Sequence, residues 1–324
     1  MGYGNRVYLW GKFWRNGICT AENKPSLRHF PYIKKIGNAN TYGMRYLFLR
    51  IFTVCTLLCS CTACGVSTTP TPTESPQSDY SSKTDISQDS TLPTINTAFW
   101  NVENVDVSRA RGYDKFIALT FDDAPTSKLE ELLSVFASFN EENPDCVATA
   151  TLFCNGCLWN NTALHTLTAT WALGWELGNH TYSHADCSQL NNEQLQEELR
   201  LTDKLLRGID GKDKHLFRPP FGNLNEEQKT QIQTPIIYWT VDTLDWTGKA
   251  SDDICQKVLT HIYDGAIVLL HDGYEQTVQA VKTLLPTLKA RGYQAVTVSQ
   301  LSKLNACPLK NGGAYIRARK HRTY

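Results

Sequence analysis

The sequence lacks the features that mark several protein classes. Its 32 Lys and Arg balance 32 Asp and Glu, and a chain without net charge is not a general nucleic-acid binder. The 20 Gly and 13 Pro are too few for a collagen-like chain of 324 residues. No glycine-rich nucleotide fingerprint follows any apolar run, which disfavours a dinucleotide-binding domain. Hydrophobic residues make up 41%, enough for a sizeable core in one large domain or two small ones.

The neutral total hides an uneven distribution of charge. Residues 1–60 contain nine Lys and Arg but a single acid, whereas residues 61–324 contain 23 bases and 31 acids. There are only two methionines, Met1 and Met44. We therefore interpret residues 1–43 as an over-extended start, with Met44 as the initiator of the native protein.

A secretory signal follows Met44. Arg45 and Arg50 precede the apolar residues 51–58, a run too short for a comfortable membrane-spanning helix. The text LCSC ending at Cys61 resembles a bacterial lipobox, so residues 44–64 are predicted to be a lipoprotein-type signal peptide with Cys61 as the lipidated residue. Cys64 is a second candidate for the lipidated residue, and an uncleaved signal anchor is the alternative for the segment as a whole.

The remaining organisation follows from composition. Residues 65–97 are rich in Ser, Thr and Pro, which predicts a disordered, solvated linker. Residues 98–308 are predicted to be the folded domain, and residues 309–324 a basic tail. The protein is then expected on the outer face of the bacterial cell membrane as a monomeric lipoprotein, or secreted.

Seven short apolar runs in the folded part are predicted strands, and most are separated by helical stripes. Such alternation implies parallel strands joined by right-handed crossovers. An open doubly wound sheet and a closed barrel both satisfy this pattern. The predicted strands are residues 115–121, 147–153, 175–179, 216–218, 236–241, 266–270 and 294–298.

Polar residues close five of these strands. Parallel strands bring their carboxyl ends to one edge of a sheet or one end of a barrel, so the five clusters are expected to meet. In chain order they are residues 120–123 (TFDD), 179–184 (NHTYSH), 218–222 (RPPFG), 242–246 (DTLDW) and 269–272 (LLHD).

Three of these residues have the chemistry of a metal site. His180 and His184 are four apart, close enough to bind one ion, and Asp123 adds a carboxylate. Two imidazoles and one carboxylate suit zinc or another divalent transition metal and leave a position for water. Zinc lowers the pKa of such a water to about 7. We expect one divalent ion, zinc in the first place, with cobalt, nickel or manganese as alternatives.

Four further residues are candidates for proton transfer. Asp122 is interpreted as the base that takes the proton of the water, and His271 as the acid that protonates a leaving group. Asp245 is expected to hold and tune His271, and Arg218 to orient Asp122 through a bidentate pair.

The motifs TFDD, HTYSH, RPPFG, DTLDW and LLHD resemble the five ordered motifs of the polysaccharide deacetylase family, carbohydrate esterase family 4. The resemblance covers about residues 115–300. It implies a distorted (β/α) barrel of about seven parallel strands, a zinc-like ion, and hydrolysis of N-acetyl or O-acetyl groups on polysaccharides.

The resemblance also implies residue roles that agree with the chemistry above. By motif position, the backbone N–H of Phe221 resembles the donor that holds the oxyanion. Trp246 and Leu269 resemble the lining of the pocket for the acetyl methyl group.

The cysteines of an exported chain favour disulfides, although pairing cannot be read from spacing. Free thiols and a redox or metal role for Cys154 and Cys157 are the alternatives. The predicted folded domain has six: Cys146, Cys154, Cys157, Cys187, Cys255 and Cys307.

We therefore interpret the chain as a metal-dependent enzyme that removes N-acetyl groups from N-acetylglucosamine of a cell-wall glycan. Peptidoglycan is the favoured substrate because a lipid-anchored exported enzyme lies beside it. Chitin-type glycans, poly-N-acetylglucosamine and O-acetylated xylan remain open as substrates. A non-catalytic glycan-binding lipoprotein is the alternative from another class.

Overall fold

The computed structural model describes residues 98–110 and 112–319. The predicted start, signal peptide, lipidated Cys61 and disordered linker lie outside the described residues, as does the end of the basic tail. Among the residues that are described, no helix has the length and apolar character needed to cross a membrane.

Strands and helices alternate along the described chain. The strands are β1 (Lys115–Ala124), β2 (Thr151–Cys154), β3 (Glu176–Asn179), β4 (Ile236–Ile237), β5 (Val241–Asp242), β6 (Ile267–His271), β7 (Tyr293–Val296) and β8 (Ala314–Tyr315). The α-helices are α1 (Leu129–Glu142), α2 (Asn161–Ala172), α3 (Asn192–Asp210), α4 (Glu226–Gln231), α5 (Ser251–His261), α6 (Glu275–Ala290) and α7 (Val298–Leu304).

The strands confirm the predicted parallel α/β fold. The main sheet has the order β3-β2-β1-β6-β5, with β7 beside the first half of β1, and all its ladders are parallel. Its named strands do not form a closed ring of ladders. The predicted strand at residues 216–218 is reduced to single bridges that Phe217 makes with Asn179 and Ile236.

The central position of β1 follows from its sequence. Six consecutive residues from Phe116 to Phe121 are buried, as expected for a parallel strand covered on both faces. Phe121 packs on α1 through Phe136, and the Phe136 ring lies 4.4 Å from that of Trp175. Helix α1 presents a stripe of apolar residues to this cluster, which is the periodicity that predicted the helix.

The folded unit extends beyond residue 308, the residue at which the predicted domain ends. Leu309 and Ala318 are buried, and β8 pairs with β4. Two-residue strands carry no periodic signal, which is why the pattern of residues 309–319 indicates only a tail.

The expectation of disulfides is wrong. All six cysteines of the described domain are free. Four of them, Cys146, Cys154, Cys187 and Cys255, are buried, where cysteine packs as a small apolar residue.

Candidate active site

The polar clusters meet because the strands that carry them are parallel and adjacent. Asp122, near the end of β1, lies in register with His271 at the end of β6. On the other side of β1, β2 pairs with β3, whose last residue precedes His180. One edge of the sheet therefore presents carboxylates and imidazoles from strands that are distant in sequence.

Asp123, His180 and His184 form a group that can hold a metal ion. Each offers one ligand atom, and these atoms all lie within 4.8 Å of one another. The Asp123 Oδ1 atom is 3.2 Å from Nε2 of His184 and 3.7 Å from Nε2 of His180. The donor set fits a divalent transition metal, because two imidazole nitrogens and one carboxylate oxygen converge on one point.

The surroundings of His180 prepare it as a ligand. Its Nδ1 atom is 2.7 Å from the carbonyl oxygen of Arg218, which only accepts hydrogen bonds, so Nδ1 carries the proton and Nε2 keeps its lone pair. Burial lowers the pKa of His180, against the opposing effect of Asp122 and Asp123. Burial favours the neutral imidazole that binds metals, and the Arg218 contact selects the tautomer in which Nε2 is free to bind.

Asp122 is held by Arg218, but not through the predicted bidentate pair. One nitrogen, Nη1, donates to Asp122 Oδ1 at 2.7 Å and also to Thr120 Oγ1. The remaining nitrogens donate to the backbone carbonyls of Ile237 and Tyr238. Because the other two nitrogens are taken by these carbonyls, Arg218 contacts only one oxygen of Asp122, and Oδ2 makes no hydrogen bond to this arginine.

His271 and Asp245 form the expected pair. The Nδ1 atom of His271 lies 2.7 Å from Asp245 Oδ1, and its backbone N–H donates to Oδ2 of the same carboxylate. Burial by itself lowers the pKa of His271, but the Asp245 hydrogen bond and the nearby carboxylates of Asp122 and Asp123 outweigh it, and the pKa is raised. The imidazole therefore holds a proton more tightly than an ordinary histidine does.

The three predicted pocket residues lie around these groups. Phe221 is 65% exposed, and its ring contacts that of His184 at 4.8 Å. Trp246 is 53% exposed and directly follows Asp245. Leu269 is buried on β6, two residues before His271, so both side chains are on the same face of the strand.

Unusual backbone conformations concentrate here. Six described residues other than glycine have positive φ, and all but Ala306 belong to the site segments. The other five are Asp123, Thr181, His184, Phe221 and Leu244. Residues with side chains adopt this region rarely, and such strain typically marks functional sites.

Sequence reasoning missed two groups that support the site. Thr120 accepts a hydrogen bond from Arg218 and donates to the carbonyl of Val268. Thr277, in the first turn of α6, donates to Asp245 Oδ2 at 2.6 Å. Thr120 is part of the TFDD motif, so its position could have indicated a role in the site, whereas no motif includes Thr277.

The parallel α/β domain with an Asp-His-His group at the strand ends is a protein with a candidate metal site. Comparisons with known proteins identify its family. The family profile described as polysaccharide deacetylase matches residues 109–234. A peptidoglycan-N-acetylglucosamine deacetylase of Bacillus cereus is 33% identical over 197 residues, which are 58% of this chain and 88% of that protein. The chain belongs to the polysaccharide deacetylase family.

Other relatives are much longer than this chain. A bifunctional xylanase/deacetylase of Pseudobutyrivibrio xylanivorans is 33% identical over 59% of this chain, and the peptidoglycan-N-acetylglucosamine deacetylase PgdA of Listeria monocytogenes is 32% identical over 58%. These matches span 31% and 39% of the two relatives, so the chain covers less than two fifths of their length.

Solved structures show the same fold. A structure described as T48 deacetylase with substrate superposes with a TM-score of 0.57 at 32% identity, over 62% of this chain and 96% of that one. A family 4 acetyl xylan esterase from Clostridium thermocellum, in complex with a cobalt ion, gives 0.58 at 25% identity over 63% and 98%.

The Asp245 contact predicts a change in the titration of His271. Asp245→Asn is expected to lower the pKa of His271, because the negative charge of Asp245 no longer opposes the effect of burial. NMR titration of the His271 ring measures this pKa, and the exposed Asp252→Asn on α5 is the control. In the wild type, the raised pKa stabilises the fold below the ordinary histidine pKa, and this stabilisation is lost as pH rises through the raised value. An unchanged pKa in Asp245→Asn would contradict the interpretation.

Proposed function

We propose that the chain is a metal-dependent hydrolase that removes N-acetyl groups from N-acetylglucosamine residues of a cell-wall polysaccharide, with peptidoglycan as the favoured substrate. The observation that carries the proposal is the convergence of Asp123, His180 and His184 beside Asp122. The names of the Bacillus and Listeria relatives support the substrate class.

The metal would be held by Asp123, His180 and His184, and zinc suits this donor set best. When bound, the ion supplies a Lewis acid that lowers the pKa of water and polarises a carbonyl group. Asp122 accepts the proton of the attacking water. Arg218 orients this carboxylate through its contact with Oδ1.

The leaving group is protonated by the histidine at the end of β6. His271 donates a proton to the departing amine nitrogen while the C–N bond breaks, and acetate is released. Asp245 keeps His271 protonated and fixes its ring, so the proton is presented from Nε2. The backbone N–H of Phe221 donates to the oxyanion, and Trp246 and Leu269 line the pocket for the methyl group.

Export and anchoring complete the proposal. A signal peptide over residues 44–64, with lipidation of Cys61, would place a monomeric enzyme at the outer face of the membrane, next to peptidoglycan. Mass spectrometry of the native N-terminus is expected to find a lipidated Cys61 and no peptides from residues 1–43. Recovery of peptides from residues 1–43 would contradict the assigned start.

Two substitutions separate the base from the metal ligands. Asp122→Asn is expected to reduce acetate release at least 100-fold while metal content stays at the wild-type level, because only the proton acceptor is lost (about 10²–10⁴-fold for general bases). His180→Ala is expected to lose both activity and metal.

Acetate release and metal content of the purified variants are the measurements. The exposed Asp253→Asn on α5 is the control and should retain both properties. Wild-type acetate release from Asp122→Asn would contradict the role of the base, and wild-type metal content in His180→Ala would contradict the ligand set.

A panel of acetylated glycans tests the substrate. Acetate release is expected to be greatest from peptidoglycan and to stop when a chelator removes the ion. O-acetylated xylan is the second candidate, because the xylanase/deacetylase and acetyl xylan esterase are among the relatives. Chitin oligomers and poly-N-acetylglucosamine complete the panel. Acetate release that persists without metal would contradict the mechanism. Acetate release from xylan alone would contradict the proposal that peptidoglycan is the substrate.

A further inference from the structure

The loop over residues 180–184 carries two of the three candidate ligands in a backbone conformation that side chains disfavour. Thr181 has φ 67° and His184 has φ 58°. Residues other than glycine remain in this region only when their surroundings enforce it. The position of His184 relative to His180 therefore depends on groups outside the loop.

The inner side of the loop is fixed by the segment that follows β2. Gly156 and Cys157 donate their backbone N–H groups to the carbonyls of Thr181 and Tyr182, at 3.1 and 2.8 Å. The side chain of Asn155 donates to the carbonyl of His180 at 2.6 Å. Three successive carbonyl groups of the loop, those of residues 180–182, thus accept hydrogen bonds from this segment.

The outer side of the loop is fixed by one carboxylate. The backbone N–H groups of Tyr182 and Ser183 donate to Oε2 of Glu198, at 2.8 and 2.7 Å. The hydroxyl of Ser183 donates to Oε1 at 2.8 Å. Glu198 belongs to α3, a helix of 19 residues with a capping box, so a rigid element presents these acceptors.

We propose that Glu198 is a positioning residue that sets the metal affinity of the site by holding the segment between His180 and His184. This inference rests on the proposed metal-dependent function. The physical reason is preorganisation: without the carboxylate, binding of the ion must also order the loop, and that ordering reduces affinity. Groups that orient metal ligands typically change metal affinity by about 10–100-fold when they are lost.

Substitutions of Glu198 test the proposal through zinc affinity of the full chain, measured by competition with a chromophoric chelator. Glu198→Ala removes all three acceptor contacts, and we expect binding of Zn²⁺ to weaken by about 10–100-fold. Glu198→Gln keeps a carbonyl oxygen that accepts both N–H groups, and we expect affinity within about threefold of the wild type, which separates geometry from charge.

Glu197→Ala is the matched control. Glu197 is the preceding residue of α3, is exposed and pairs with Arg200 instead of the loop, so zinc affinity should not change. Wild-type affinity in Glu198→Ala would overturn the proposal. A loss in Glu198→Gln as large as that in Glu198→Ala would also overturn it, because the effect would then come from charge.

Thermal unfolding without metal shows whether each variant folds. If Glu198→Ala does not fold, Ser183→Ala decides, because it removes only the hydroxyl contact and should weaken Zn²⁺ binding about threefold or more; an unchanged affinity would overturn the proposal. A wild-type chain that binds no Zn²⁺ would instead overturn the proposed metal chemistry, so the two failures are distinguishable.

Discussion

The buried guanidinium of Arg218 is the constraint on which the arrangement of the site depends. It is completely inaccessible to solvent, and a charge in that position is tolerated only when its hydrogen bonds are satisfied. It donates to Asp122 and Thr120 of β1 and to the carbonyls of Ile237 and Tyr238. The planar guanidinium group also lies over aromatic rings. The same residue offers its carbonyl to His180, so one arginine fixes a candidate base and a candidate ligand together.

The fold shifts the pKa values of the two histidines at the centre in opposite directions. Burial dominates at His180 and lowers its pKa, whereas at His271 burial is outweighed by Asp245 together with Asp122 and Asp123, which raise the pKa. A neutral imidazole can bind a cation, and a protonated one can donate to a leaving group. The two histidines therefore offer complementary chemistry for the proposed hydrolysis of an amide.

Much of the fold could be predicted because its signals are local. The apolar run of β1 and the helical stripe of α1 are buried as their patterns indicate. The failures have physical causes as well. Residues 309–319 join the fold through two-residue pairing, which leaves no periodic pattern. The cysteines of the described domain are free thiols, four of them buried, although their number favoured disulfides.

The sequence by itself determined which chemical groups are available and that they end successive strands, because residue type and periodicity are written in the chain. Only the tertiary structure decided how these groups contact one another. Arg218 gives Asp122 one nitrogen because its other nitrogens are taken by carbonyls, and Thr277 and Glu198 reach the site from helices that no motif marks. Such contacts depend on the packing of helices against strands that are distant in sequence, and spacing along the chain does not encode them.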